Sequence, residues 1–141
     1  ARGSTGIRVE GEGSDHVVVS NAILHTGTDT GTGPVTCFSL GLATSAYRAV
    51  DNNLCFGPSA SSLEWESGSG ELASWRAASS FAANSINADP AFTAPAGPAH
   101  DLRPSSAASP CVGGGHPTQS APVDITGAAR GTDPDIGAYE L

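Results

Sequence analysis

"HVVVSNAIL" (16–24) and "AYRAVDNNLCFG" (46–57) share one form: a short apolar run, a polar step with an asparagine, and a second short apolar run. Asn21 and Asn53 fall at the same relative place in the two stretches. Asparagine tolerates left-handed backbone and can bond its own chain, so it suits a corner between two strands. "GIRVEG" (6–11) adds a strand with Ile7 and Val9 on one face and Arg8 and Glu10 on the other. A recurring strand–asparagine–strand unit predicts stacked solenoid coils. The alternative is a set of β-hairpins in a sandwich. Against it, the runs are very short and no Asn-Gly or Asp-Gly turn separates them.

Composition agrees with many short strands. The 141 residues allow one domain, with 18 glycines, 10 prolines and only 14% charged residues. Lysine and methionine are absent, and all six basic residues are arginines. A helical bundle, built on Ala, Leu, Glu and Lys, is excluded. Net charge is −8 with the arginines scattered, which leaves no footprint for nucleic acid. No stretch approaches the roughly 18 apolar residues of a transmembrane segment. "ARGSTGIRVE" lacks the apolar core of a signal peptide, so a leader has been removed or the numbering starts inside a longer precursor.

Cys37, Cys55 and Cys111 fit no zinc spacing. They are buried free thiols, or Cys37 and Cys55 form a disulfide with Cys111 left over; an exported chain favours the disulfide.

The Gly/Thr-rich segment 25–36 reads as a surface loop. In 62–81, Leu63 and Trp65 alternate with Glu64 and Glu66 in one short strand, and "SGSG" then breaks the chain. Residues 71–79 carry the one good helix signal. Ser69 can cap it, Glu71 suits its positive end, and Leu72, Trp75 and Ala78 share a face. After Asn87 the chain is rich in Pro, Ala, Gly and Ser, with Phe92, Leu102, Val112, Ile125, Ile136 and Tyr139 spaced like anchors. The expected organisation is coils with one helix over 1–87, and an extended strap packed on them over 88–141.

Three pieces of the second half occur in a telling order. They are "LASWRAASSFAANSINADPAF" (72–92), "HDLRPSSAASPCVGGG" (100–115) and "VDITGAARGTDPDIGAYEL" (123–141). Together they resemble the C-terminal region of pectate-lyase-like, choice-of-anchor bacterial exported proteins. That resemblance implies an all-β, right-handed parallel β-helix, here of about three to four coils, with one short helix and an extended C-terminal capping strap. It covers roughly 46–141; residues 6–45 match only as generic coils. Cys111 departs from the family's small apolar residue, and family members carry many more coils before this region. A solenoid must cover its ends. The helix and the final "DIGAYEL" are read as that cover, with Trp75, Phe92, Leu102, Ile136 and Tyr139 as capping residues. Nothing before "GIRVEG" reads as a cap. Upstream coils of a precursor, head-to-tail assembly, or a stub held by disulfide and strap would each answer this.

Candidate chemistry is sparse. Glu64 and Glu66, about 6.5–7 Å apart along a strand, match the spacing of a carboxylate pair in inverting glycosidases. The alternative is two solvated carboxylates on an outer face. A lyase needs a base and a neutralising cation; His16, His25, Arg8 and Arg48 are the candidates, the alternative for the histidines being surface loop positions. Tyr47, Trp65 and Trp75 could stack on sugar rings, or be core. Asp133 and Asp135 could bind calcium, or form a turn about Pro134. Asp51, Asn52 and Asn53 pose the same choice. The reading is an extracellular or cell-surface structural protein of a bacterium, assembling end to end or contacting polysaccharide, with no cofactor. Its partners would be copies of itself or an upstream part of the same precursor. The alternatives are a fragment of a β-helix polysaccharide lyase or glycoside hydrolase, and a carbohydrate-binding module.

Overall fold

The structure, a computed structural model, describes residues 4–26, 35–57, 63–67, 70–96 and 98–141. Apolar runs of three to six residues form the strands. β1 (Ser4–Val9) pairs in parallel with β4 (Val35–Leu40), which pairs in parallel with β7 (Leu63–Glu66). β2 (His16–Val19) pairs in parallel with β5 (Tyr47–Asp51), and β3 (Ala22–Leu24) with β6 (Leu54–Phe56). α1 (Leu72–Ser79) follows β7, and β8 (Phe92–Ala94) and β9 (Asp101–Pro104) make an antiparallel pair.

The all-β, right-handed parallel β-helix of three to four coils expected from the sequence is not what the chain forms. Among the described residues the strands make four separate sheets, one of three strands and three of two, one of them antiparallel. No closed or continuous sheet runs through them. Among the described residues the pairing of β1–β3 with β4–β6 is not repeated by a third set of three strands. After β7 the chain turns into α1, and only an isolated bridge, Leu54 to Ile86, continues the third sheet. Eight of the ten prolines lie beyond residue 87. Each lacks the N–H a ladder needs, so that part of the chain settles into turns.

The corner between β2 and β3 stacks on that between β5 and β6. Asn53 is fully buried there. Its Nδ2 donates to the Val18 carbonyl (2.9 Å), and its Oδ1 accepts from both the backbone N–H and Nδ2 of Asn21 (3.0 Å each). The Asn53 amide donates to the buried Ser85 hydroxyl (3.1 Å), and its carbonyl accepts the Ile86 amide (2.8 Å). The left-handed residues are the preceding ones, Ser20 (φ 58°) and Asn52 (φ 52°). The asparagines at 21 and 53 therefore act through their side-chain amides rather than their backbone freedom.

The main core gathers Val18, Ile23, Val35, Phe38, Val50, Leu63 and the Cys37–Cys55 disulfide, whose Cα atoms lie 6.1 Å apart. The disulfide links β4 to β6. Cys111 is a buried free thiol, which burial pushes above its ordinary pKa. Phe38, Trp65 and Trp75 form a cluster with ring centroids 6.0–6.1 Å apart, and Trp75 is the buried residue of α1. That contact anchors a helix too short to be stable alone. Glu71 occupies the N-cap without a side-chain cap bond, and Ser69 lies outside the described residues. At the other end Ser80 is left-handed, and the Arg76 guanidinium donates to the carbonyls of Ala82 (2.6 Å) and Ser85.

Replacing Asn53 with Ala strands the Val18 carbonyl and the Asn21 amide in the interior. The expected loss is about 2–4 kcal/mol, read as a lower denaturant midpoint at unchanged slope. Reducing the disulfide, which spans 18 residues, should cost about 3 kcal/mol in the same assay.

Candidate functional site

On β7, Leu63 and Trp65 are buried while Glu64 and Glu66 are half-buried. Glu64 lies opposite Thr36 and Glu66 opposite Phe38 of β4. The Glu66 carboxylate accepts the Leu40 amide (3.2 Å). Glu66 also lines a cleft of about 250 Å³ between the end of β4, the 44–46 turn and the last turn of α1. Its walls include Leu40, Leu42, Tyr47, Trp75 and Phe81. Glu64 is not among the cleft's lining residues, so the two acids share a strand but not this cleft.

The aromatic candidates belong to the interior. Trp65 is 1% exposed, Trp75 3% and Tyr47 7%. A stacking platform must offer a ring face to its ligand, and these faces are spent on Phe38, Phe81 and one another. The Tyr47 hydroxyl and Trp65 Nε1 are buried without hydrogen-bond partners. His16 packs 5.7 Å from Tyr47, and the Nε2 atoms of His16 and His25 are likewise buried and unpartnered. Burial holds His25 below its ordinary pKa, against a smaller upward pull from a backbone hydrogen bond with Thr36. Neither histidine is the exposed loop residue that was the alternative reading. Arg48 is exposed, donating to Gln119 Oε1 (3.1 Å) and lying 3.7 Å from Asp15; Arg8 pairs with Glu10 at 2.8 Å on the surface.

The Asp51–Asn52–Asn53 step is turn chemistry. Asp51 accepts the amides of Asn52 (2.8 Å) and Asn84 (2.7 Å), and Asn52 Nδ2 donates to the Gly114 carbonyl (3.0 Å). Asp133 is exposed. Asp135 is buried, with Oδ1 accepting the Gly113 amide (2.8 Å) and Oδ2 the Leu141 amide (2.9 Å). Its oxygens thus hold backbone rather than converging with Asp133. Among the described residues no three of His, Cys, Asp and Glu group as a metal site.

The closing phrase is held mainly by charge. Arg130, 7% exposed at its side chain, donates to the carbonyls of Asp135 (2.9 Å) and Gly137 (2.6 Å) and pairs with Glu140 (2.9 Å). Glu140 accepts the Asp135 amide (3.0 Å). Asp124 accepts from the amides of Thr126 (2.8 Å), Ala128 (2.9 Å) and Glu140 (3.2 Å) and from the Thr126 hydroxyl (2.7 Å). Gly137, at φ 106°, donates its amide to the Ser20 carbonyl (2.8 Å), and a Cβ there would sit 3.4 Å from that of Ala22. Of the expected capping residues, Ile136 is buried against Leu54 and Cys111 with Phe92 alongside, and Tyr139 is half-buried. Leu102, in β9, is 41% exposed, while Trp75 belongs to the main core. Sequence reasoning missed Asp124, Arg130 and Glu140. Their signal was present: charges gathered in one phrase of a chain otherwise poor in them.

No family model, curated protein or solved structure matches the chain.

The hydrogen bond from the Thr126 hydroxyl, joined by the amides of Glu140, Ala128 and Thr126 and opposed by burial, lowers Asp124 from 3.8 to about 2. A depressed carboxylate stabilises the fold above its unfolded pKa and loses that effect as pH falls through the folded value. Amide exchange at residues 126–140 should therefore stay slow from pH 7 to about 4 and quicken, relative to intrinsic rates, between about 4 and 2. Asp124→Asn should remove most of that step.

Proposed function

We propose that this chain is a structural module outside the cytoplasm that associates with another polypeptide through the strand edges of β1, β2 and β3. The observation that carries this reading is one-sided pairing. Among the described residues β1 bonds only β4, β2 only β5 and β3 only β6. The opposite side of the stack is covered. Trp65 donates its amide to Gly70 (2.9 Å), Ala82 to Val50 (2.8 Å) and Cys55 to Ile86 (3.1 Å). Unpaired strand edges are templates for further strands unless charge or proline blunts them. β2 and β3 read "HVVV" and "AIL", with neither lysine nor proline. A recess lined by Ile7, Ala22, Ile23 and Ala138 together with the polar Ser20 and Asn21 opens beside β1 and β3 and has room for a side chain from an added strand. The disulfide supports an oxidising compartment. The added strands come from a second copy or from an upstream part of the same precursor.

Light scattering on a sizing column tests this. The expected mass is a multiple of 14.0 kDa, returning to the single-chain value when Thr5→Lys and Val17→Lys place charge on the open edges. A wild-type chain that stays monomeric up to about 1 mM and gains no mass with an added upstream fragment contradicts it.

A further inference from the structure

The two sides of the strand stack differ, and the difference limits how a second copy can meet the first. On the side toward α1, Gly70 accepts the Trp65 amide, Val50 accepts that of Ala82, and Ile86 accepts that of Cys55. On the other side, among the described residues, β1, β2 and β3 have no outer neighbour. Head-to-tail contact would set the covered side of one copy against the open side of the next, whereas open side against open side displaces nothing and is two-fold symmetric. The edge of β1 is complementary to itself under that symmetry. The Val9 carbonyl points toward β4 and accepts the Gly41 amide (2.8 Å). Backbone groups alternate between the two edges of an extended chain, so those of Arg8 and Glu10, on either side of Val9, face the open edge. In an antiparallel pair centred on Val9, Arg8 of each copy lies opposite Glu10 of the other. Their side chains are 66% and 61% exposed and pair within the chain at 2.8 Å. Such a surface pair is worth little in water and is readily exchanged for one between copies. Ile125, 69% exposed, donates its amide to the Ala138 carbonyl (2.9 Å), and Ala138 lines the recess beside β1 and β3. Among the described residues no ionisable side chain lines that recess, so the charge of −8 on each chain is not concentrated there.

We infer that the partner at the open edge is a second copy of this chain, docked face to face about a two-fold axis at Val9, with Arg8 and Glu10 paired across the interface. This rests on the proposed strand-edge association and names its partner. The assembly closes at two chains, because each copy spends its one open side and presents its covered side outward. The main-chain groups of Arg8 and Glu10 form the hydrogen-bonded pairs of the new ladder, and Val9 meets its own counterpart as the closer, unbonded pair between them. Opposite charges directly across an antiparallel ladder add to it, and like charges subtract. Parallel, in-register pairing of the same strands would stack Arg8 on Arg8 and Glu10 on Glu10, so the charges also fix the direction. Each copy's Ile125, beside the recess, is covered by the other copy, which removes the most exposed of the chain's exposed large apolar side chains from water.

The test is analytical ultracentrifugation of the oxidised 141-residue chain across about 1 μM to 1 mM, with two charge reversals measured singly and mixed. For the wild type the mass should rise with concentration to twice 14.0 kDa and stop there. Arg8→Glu leaves two acids on the edge and Glu10→Arg leaves two arginines, so each variant alone should dimerise at least about tenfold more weakly. Mixed in equal amounts, the two variants set acid against arginine at both positions, and affinity should return to within about threefold of wild type. Ile125→Asp should weaken the dimer by about tenfold, whereas Leu102→Asp, an exposed leucine of β9, should leave it within about twofold. All four side chains are exposed, and an unchanged circular dichroism spectrum confirms that each variant folds. Should one variant fail to fold, the wild-type mass ceiling and the remaining variants still decide the matter. Mass climbing past two chains means head-to-tail growth; it overturns the two-fold dimer and leaves the strand-edge reading standing. A chain that stays monomeric but gains mass with an added upstream fragment does the same, and a chain that does neither overturns both. A mixture no tighter than its separate variants, or equal losses from Ile125→Asp and Leu102→Asp, overturns the face-to-face arrangement.

Discussion

The buried carboxamide of Asn53 is the constraint on which the stacked strands depend. Strands of three to six residues supply few ladder bonds each, and a chain that turns between them leaves backbone groups facing inward. The Asn53 carboxamide reaches Val18 and Asn21 on one side, while the Asn53 backbone N–H and carbonyl bond Ser85 and Ile86 on the other, so one residue ties three successive passes of chain. A carboxamide does this because it carries both donors and acceptors in one plane. An apolar residue of similar volume would fill the space and leave the corner's amides and carbonyls unmet. The disulfide and the Phe38–Trp65–Trp75 cluster act on the same stack from within, holding β4 to β6 and seating α1 against β7.

The last third of the chain solves a different problem. Prolines deny it ladders, and its apolar residues are few, so neither sheet nor a large core can order it. Buried charge takes that role. Arg130, Glu140 and Asp124 each bond backbone as well as a side chain, and the Asp135 carboxylate holds two backbone amides, so the turns are fixed through their own amides and carbonyls. Breaking one partner would leave another charge buried and unpaired, which makes such a network costly to disrupt.

Much of the first half was legible in the sequence. The matched places of Asn21 and Asn53, the strands around them and the helix at residues 72–79 follow from local pattern, and of the two readings of Cys37 and Cys55, free thiols or a disulfide, the chain forms the disulfide. What misled was the step from local repeat to global architecture. Two matched units read like the start of a longer series, yet among the described residues β7 leads into α1 and no third set of parallel strands completes the pattern. Periodicity reports which residues face inward and not how many times a unit recurs. The candidate site was legible in part. Glu66 was named for its strand, but its cleft is made by Leu42, Thr44 and Phe81, which only folding brings near. Trp65 and Trp75 read equally as platform or core, and the choice turned on burial among partners far apart in sequence. In the tail, Ile136 stood out as apolar among polar neighbours, whereas Arg130 gave no periodic signal at all.

The most direct test of this account is native-state amide hydrogen exchange of the dilute, oxidised chain, compared between wild type and Asn53→Ala. The amides of Asn21, Leu54, Cys55 and Ile86, which bond across the corner, should be among the slowest to exchange. In Asn53→Ala the Asn21 amide loses its partner directly, and Leu54, Cys55 and Ile86, whose backbone bonds remain but whose corner is loosened, should lose protection with it, ahead of Arg130 and its neighbours. If instead those corner amides exchange as fast as exposed turns in the wild-type chain, or keep their protection without Asn53, the buried carboxamide does not hold the layers.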